Sequence, residues 1–218
     1  DLIITPPDLT LPQSFNSVKD KIKTKYIAFL HHDLLFLEGG QFLGRCVDYM
    51  ESLHDCGIAG VCGKTFMKPD LEDESFNTWE FTDGYTIGYG LYQQVYEQQN
   101  KKILFKGKYF HGTQIWGHPI DEPMECQTLD GMVMIIPTEV FKKIQFDEIF
   151  KYRCDCMCED YCLMVKYYLN LKVYVLPLVL WHRPNWKRPP NFESDYLNEK
   201  HLEAIRLLGE KWKGKVSC

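Results

Sequence analysis

The sequence has no apolar run near the roughly 18–20 residues that a membrane span requires, and it contains no repeat or low-complexity stretch. Its first residues, DLIITPPDLTLPQ, carry neither the basic n-region nor the long apolar core of a secretory leader. The initiator methionine is missing too, as in a piece cut from a longer chain. There is no excess of positive charge: the net charge is −5, which argues against nucleic acid or an anionic membrane as partner, since both need a basic surface. Paired CxxC knuckles are also lacking. The nine cysteines are odd in number, and the run Cys154, Cys156, Cys158, Cys162 alternates in a way that zinc knuckles do not, which makes structural zinc a minor rival. What these absences leave is a cytoplasmic protein without a membrane span in this chain, its thiols reduced and those of Cys46, Cys56 and Cys62 buried in apolar surroundings.

The 218 residues are 45% hydrophobic, 14% aromatic and 25% charged, enough apolar material for one folded domain spanning 1–218. Tyr26 to Leu30 is an apolar, β-prone run of the kind buried on both faces of a parallel sheet. Before it, Ser14 to Ile22 reads as a short helix capped by Ser14, and Leu2 to Thr5 as a strand. Gln41 to Leu53 has apolar positions at helical spacing. Gly57 to Gly63 reads as a buried, glycine-rich strand. Residues 64 to 126 have little periodicity and read as an excursion with short strands near Leu91–Tyr96 and Ile103–Tyr109, covering a pocket. Met132 to Ile136 is a strand stopped by Pro137, followed by a short helix capped by Thr138. A helix from Glu159 to Leu169, a strand at Val173–Leu176 and an amphipathic helix from Ser194 to Lys213 complete the order. Such alternation predicts an α/β sheet, mainly parallel with mixed edges, flanked by helices.

The most informative local feature is an apolar strand that ends abruptly in His31-His32-Asp33. In open α/β sheets ligands gather at the carboxyl ends of strands. Asp33 offers a hard oxygen there and His31 or His32 a borderline nitrogen, a mixture suited to Mn²⁺ or Mg²⁺ carrying a diphosphate; the bland alternative is a polar turn. Asp130-Gly131 stands directly before a buried strand, where glycine permits close backbone approach. Glu159 and Asp160 open a helix, either as favourable charges at its positive end or as a general base aimed into a cleft. Val179 to His182 ends a strand in an imidazole. The stretch WHRPNWKR supplies Arg183, Lys187 and Arg188 as a basic lid or as an exposed loop. Trp116, Trp181 and Trp186 are candidate sugar-stacking surfaces, with core packing the commoner use of such rings.

In this order the segments resemble the GT-A fold glycosyltransferases, nearest to a family-2-like group with the signature AKYxxxLHQD. Lys25-Tyr26 through Leu30-His31-His32-Asp33 reproduces it, with His32 where glutamine is usual. Ser14-Phe15-Asn16 is similar to that group's upstream small–aromatic–Asn segment, and Gly57, Gly60 and Gly63 to its GxxGxxG strand. The resemblance covers most of residues 10 to 185. It implies a GT-A (Rossmann-like) sheet whose first βαβ unit is missing or altered in this chain. It also implies Asp33 as the final carboxylate of a DxD motif holding the metal, with His182 as a further ligand and His31 in the place of the first acid. Either Glu159 or Asp160 becomes the base that deprotonates the acceptor. Asp130, Gly131 and Asn16 are expected to touch substrate, with His31, His32, Trp116 and Arg183.

The function so implied is metal-dependent transfer of a sugar from a nucleotide-diphosphate sugar, UDP-sugar favoured, to a hydroxyl of a glycan or glycoprotein, with inversion. A nucleotidyltransferase would use a similar sheet and metal, but would need a glycine- and Arg/Lys-rich phosphate loop near its start, which the sequence lacks. An inactive sugar-binding domain is the other alternative.

Overall fold

The computed structural model describes residues 3, 5–6, 8–37, 39–65, 86–93, 102–105, 108–111, 113–116, 120–151, 156–182 and 194–215, with the backbone alone between 86 and 116 and over 194–198. Its first sheet has the order β1 (Tyr26–Leu30), β11 (Val133–Pro137), β3 (Cys56–Gly60), β12 (Lys172–Val175), β9 (Met124–Cys126). The second has the order β10 (Thr128–Leu129), β4 (Cys62–Lys64), β5 (Thr86–Gln93), β13 (Val179–His182), β2 (Leu34–Phe36), with β8 (Thr113–Trp116) also paired to β5. β6 (Lys102–Phe105) and β7 (Lys108–His111) form a separate hairpin.

The first sheet is covered on both sides. Along β11, Met134 and Ile136 enter one apolar cluster while Val133 and Ile135 enter the other, as the two-residue period of a strand dictates. Helix α2 (Gln41–Ser52) closes one face through Phe42, Cys46 and Met50. The other face is closed by α3 (Thr138–Lys143), α4 (Met157–Leu169) and the Ala204, Ile205, Leu208 and Trp212 stripe of α5 (Ser194–Trp212). The protein is therefore a mixed α/β fold with a helix-flanked sheet. No helix among the described residues is long and apolar enough to cross a membrane.

The expectation of a mainly parallel sheet is corrected. Among the described residues only β3–β12 and β5–β13 run parallel; the other pairings are antiparallel. β11 lies between β1 and β3 and runs against both. A continuous apolar run marks burial on two faces, and such burial is indifferent to strand direction. β1 departs in another way: it is an edge strand, with Ala28 exposed and Leu30 37% exposed.

Several local boundaries also move. The first helix is α1 (Leu11–Asn16), opened by Pro12 and by Gln13, whose side-chain oxygen accepts from the Thr10 amide at 3.1 Å. Ser14 thus lies inside the helix, and Lys19–Lys21 is a separate 3-10 turn. The strand expected at Leu2–Thr5 does not form at Ile3 or Thr5, and Leu2 and Ile4 lie outside the described residues. Thr138 is not a cap: its hydroxyl donates to the Thr24 carbonyl at 2.7 Å, and Pro137 holds the cap position. The glycine-rich strand divides at Val61 into β3 and β4, which belong to different sheets. A Cβ on Gly60 would stand 2.5 Å from the Val133 carbonyl oxygen, and one on Gly63 2.5 Å from that of Thr128, so neighbouring backbone fills the space a side chain would need.

Candidate metal centre

Four times the chain leaves a strand of the first sheet and within a few residues joins the second: β1 to β2, β3 to β4, β9 to β10 and β12 to β13. The candidate site lies at the first of these crossings. β1 is aligned by β11, and the last link of that ladder is the His31 amide donating to the Met132 carbonyl at 3.0 Å. The chain then turns through His32 and Asp33 and enters β2, which pairs with β13 so that Leu34 stands opposite His182. Asp33 is therefore carried to the end of β13, where His182 is the last residue.

Three side chains meet there. His182 Nε2 lies 3.1 Å from Asp33 Oδ1 and 3.5 Å from His31 Nδ1. His31, Asp33 and His182 form a group whose ligand atoms all fall within 4.8 Å of one another. The side chains of His182 and Asp33 are 13% and 11% exposed, so the donors are sheltered without being sealed. Two donors each ~2.1 Å from one ion and ~90–110° apart stand ~3.0–3.4 Å from each other; the 3.1 Å separation falls in that range and the 3.5 Å one just beyond it. Burial lowers the proton affinity of His31, and although Asp130 and Asp33 act against it the net direction is down. A neutral imidazole is the form that ligates. His32 is exposed and outside the group.

A second cluster adjoins this one. Asp130 follows β10; its amide donates to the Cys62 carbonyl at 2.9 Å, and its own Oδ1 accepts from the Met132 amide at 2.9 Å. β4 and β10 pair with Lys64 opposite Thr128, so Lys64 and Cys62 share a face with Thr128 and Asp130. Lys64 is half-buried, and burial lowers its pKa while the carboxylates of Glu159 and Asp130 draw it back up. Glu159 thus reaches the same region from the first turn of α4. Lys64 was not among the expected site residues, although it ends a strand as His31 follows one, and that position was the available signal.

Other expected site residues are placed elsewhere. Asp160 lies inside the fold. Its side chain is 0% exposed, with Oδ2 2.8 Å from Lys211 Nζ and Oδ1 accepting from Trp212 Nε1 at 2.7 Å. Burial raises its carboxyl pKa, with Lys211 and Trp212 opposing. The Asn16 amide is engaged within the chain: Nδ2 donates to the Phe146 carbonyl at 2.9 Å and to Glu148 at 3.0 Å, and Oδ1 accepts from the Phe146 amide at 3.0 Å. It ties α1 to the loop before α4, beside the Phe15–Phe29 ring stack at 4.2 Å. Gly131 occupies the turn before β11. Trp181 lies in β13, half-buried and opposite Leu35. The backbone of Trp116 ends β8, but its side chain lies outside the described residues, as do Arg183, Trp186, Lys187 and Arg188. Cys46, Cys56 and Cys62 are buried free thiols, and burial pushes the Cys56 thiol up to about 12. Cys154 lies outside the described residues, and no cysteine among them joins a metal-capable group.

No protein-family model matches the chain, and no curated protein matches it.

Proposed function

We propose that the chain is a metal-dependent glycosyltransferase domain that moves a sugar from a nucleotide-diphosphate sugar, UDP-sugar favoured, to an acceptor hydroxyl of a glycan or glycoprotein. The observation that carries this reading is the meeting of His31, Asp33 and His182 at a strand end, from segments 149 to 151 residues apart. Asp33, His182 and His31 would hold Mn²⁺ or Mg²⁺ through one carboxylate oxygen and two imidazole nitrogens. When bound, such an ion supplies Lewis-acid stabilisation to the charge gathering on a diphosphate leaving group.

The remaining chemistry belongs to the chain. Transfer forms a bond from the acceptor oxygen to the sugar's anomeric carbon as the bond from that carbon to the diphosphate breaks, and the acceptor's proton must leave. Glu159 is the residue for that proton, because it is half-exposed and its charge is felt by Lys64, as that of Asp130 is, whereas Asp160 is buried and engaged. Attack opposite the leaving diphosphate gives inversion. Lys64 steadies a carboxylate that must stay ionised to accept.

The test is thermal stability with UDP, GDP and dTDP, each with and without Mn²⁺. A ligand at about a hundred times its Kd adds about 2.7 kcal/mol, so a metal-dependent rise in Tm with UDP is expected. Asp33→Ala should abolish it. No rise with any of the three nucleotides overturns the reading. A rise without transfer to any acceptor marks a sugar-nucleotide-binding domain.

A further inference from the structure

We propose that the centre selects a borderline transition ion, of the Co²⁺ and Zn²⁺ class, over Mg²⁺, and that His31 sets this preference. The inference rests on the metal centre of the reading above, though not on sugar transfer. Two of the three donors at the point of convergence are imidazole nitrogens, His31 Nδ1 and His182 Nε2, and one is a carboxylate oxygen of Asp33. Mg²⁺ favours an octahedron of oxygens and gives up water reluctantly, so two nitrogens and a single carboxylate offer it little. Imidazole suits the later divalent ions, whose affinity for a given nitrogen and oxygen set climbs from Mn²⁺ towards Zn²⁺.

The backbone makes this donor set hard to exchange for another. His31 is pinned by its amide bond to Met132 at 3.0 Å, Asp33 runs straight into β2, and His182 is fixed opposite Leu34. A donor triangle held by two ladders keeps its shape instead of widening to admit more oxygens. His31 is the residue whose replacement changes the character of the set, because Asp there would give one nitrogen and two oxygens with an added negative charge. The ion with Asp33 alone keeps a net single positive charge, so an anionic ligand is still drawn to it.

The experiment uses the full chain stripped of metal with a chelator. Co²⁺ is titrated while its visible absorption is followed, and Mg²⁺, Mn²⁺ or Zn²⁺ is then added as competitor. Co²⁺ and Zn²⁺ should bind at least about a hundredfold tighter than Mg²⁺, and His31→Asp should narrow that gap at least about tenfold. Should the variant fail to fold, imidazole NMR signals of the unaltered chain supply the second measurement: Co²⁺ should displace those of both His31 and His182. The inference is overturned if Mg²⁺ displaces Co²⁺ at equal concentration, if the His31→Asp ratio is unchanged, or if the His31 signal ignores the ion. Tight Co²⁺ binding without nucleotide binding removes the sugar-transfer reading and leaves this one standing. Nucleotide binding with equal Mg²⁺ and Co²⁺ affinity does the reverse.

Discussion

The carboxylates of Asp160 and Asp33 are both withdrawn from solvent, at 0% and 11% side-chain exposure, yet their surroundings are opposite in kind. Asp160 faces donors of protons: the Lys211 ammonium at 2.8 Å and the Trp212 indole at 2.7 Å, with one oxygen for each. Its charge and its hydrogen bonds are answered inside the protein, and the cluster fastens α5 onto α4. Asp33 faces the His182 imidazole at 3.1 Å, and His182 in turn lies 3.5 Å from His31; the donor or acceptor role of each ring nitrogen follows the tautomer. With both imidazoles neutral and presenting a lone pair, the three groups could hold one cation between them. Burial alone therefore does not separate the two carboxylates; what faces each of them does.

The sharpest way to break that comparison is Asp160→Ala, which takes the buried acceptor from Lys211 and Trp212 but leaves Lys211 its second partner, Asp147, at 2.7 Å, and should cost about 3 kcal/mol in denaturant unfolding. A loss below about 1 kcal/mol would show that the cluster is not the structural fastening described. Lys211→Met should cost less, about 2 kcal/mol, because a buried carboxyl can take up a proton. Its penalty should also depend on pH. Burial already raises the Asp160 value, and removing the cation raises it further. A carboxyl raised in the folded state binds its proton more tightly folded than unfolded, so stability falls as pH climbs from the unfolded value through the folded one. The gap between Lys211→Met and the unaltered chain should accordingly widen with rising pH; a gap that narrows refutes the account.

Asp33→Asn keeps the shape and should change metal-free stability by no more than about 1 kcal/mol, while Co²⁺ absorption is lost. The smallest expected effect on folding is that of Glu159→Gln, within about 0.5 kcal/mol, with nucleotide binding kept and sugar transfer lost. Unchanged turnover would remove Glu159 as the proton acceptor.

Much of this was legible in the sequence, for identifiable reasons. α2 was legible because Phe42, Cys46 and Met50 bury one helical face, and β11 because an unbroken apolar run admits few other readings. The polar ending His31-His32-Asp33 marked a strand end, and the imidazole closing β13 marked its partner. Strand direction was not legible, because the placing of β11 between β1 and β3 is settled by pairings of residues far apart in the chain, such as Tyr26 with Pro137 and Ala59 with Ile135. The choice between Glu159 and Asp160 was equally hidden. Neighbours on a helix point about 100° apart, and which of them faces inward depends on where α5 lays Lys211 and Trp212. The pairing of Asn16 with Phe146 was hidden as well, because an amide that copies a backbone pair looks, in sequence, like one that greets a ligand.

The four crossings between the sheets have a mechanical consequence. His31 and His182 stand 151 residues apart and end strands that belong to different sheets, so an ion held by both would act as a removable rivet across the fold. With the rivet in place, amide hydrogen exchange at the ends of β1 and β13 should slow together, and with a chelator both should quicken together. Metal supply would then set how freely one sheet shears against the other.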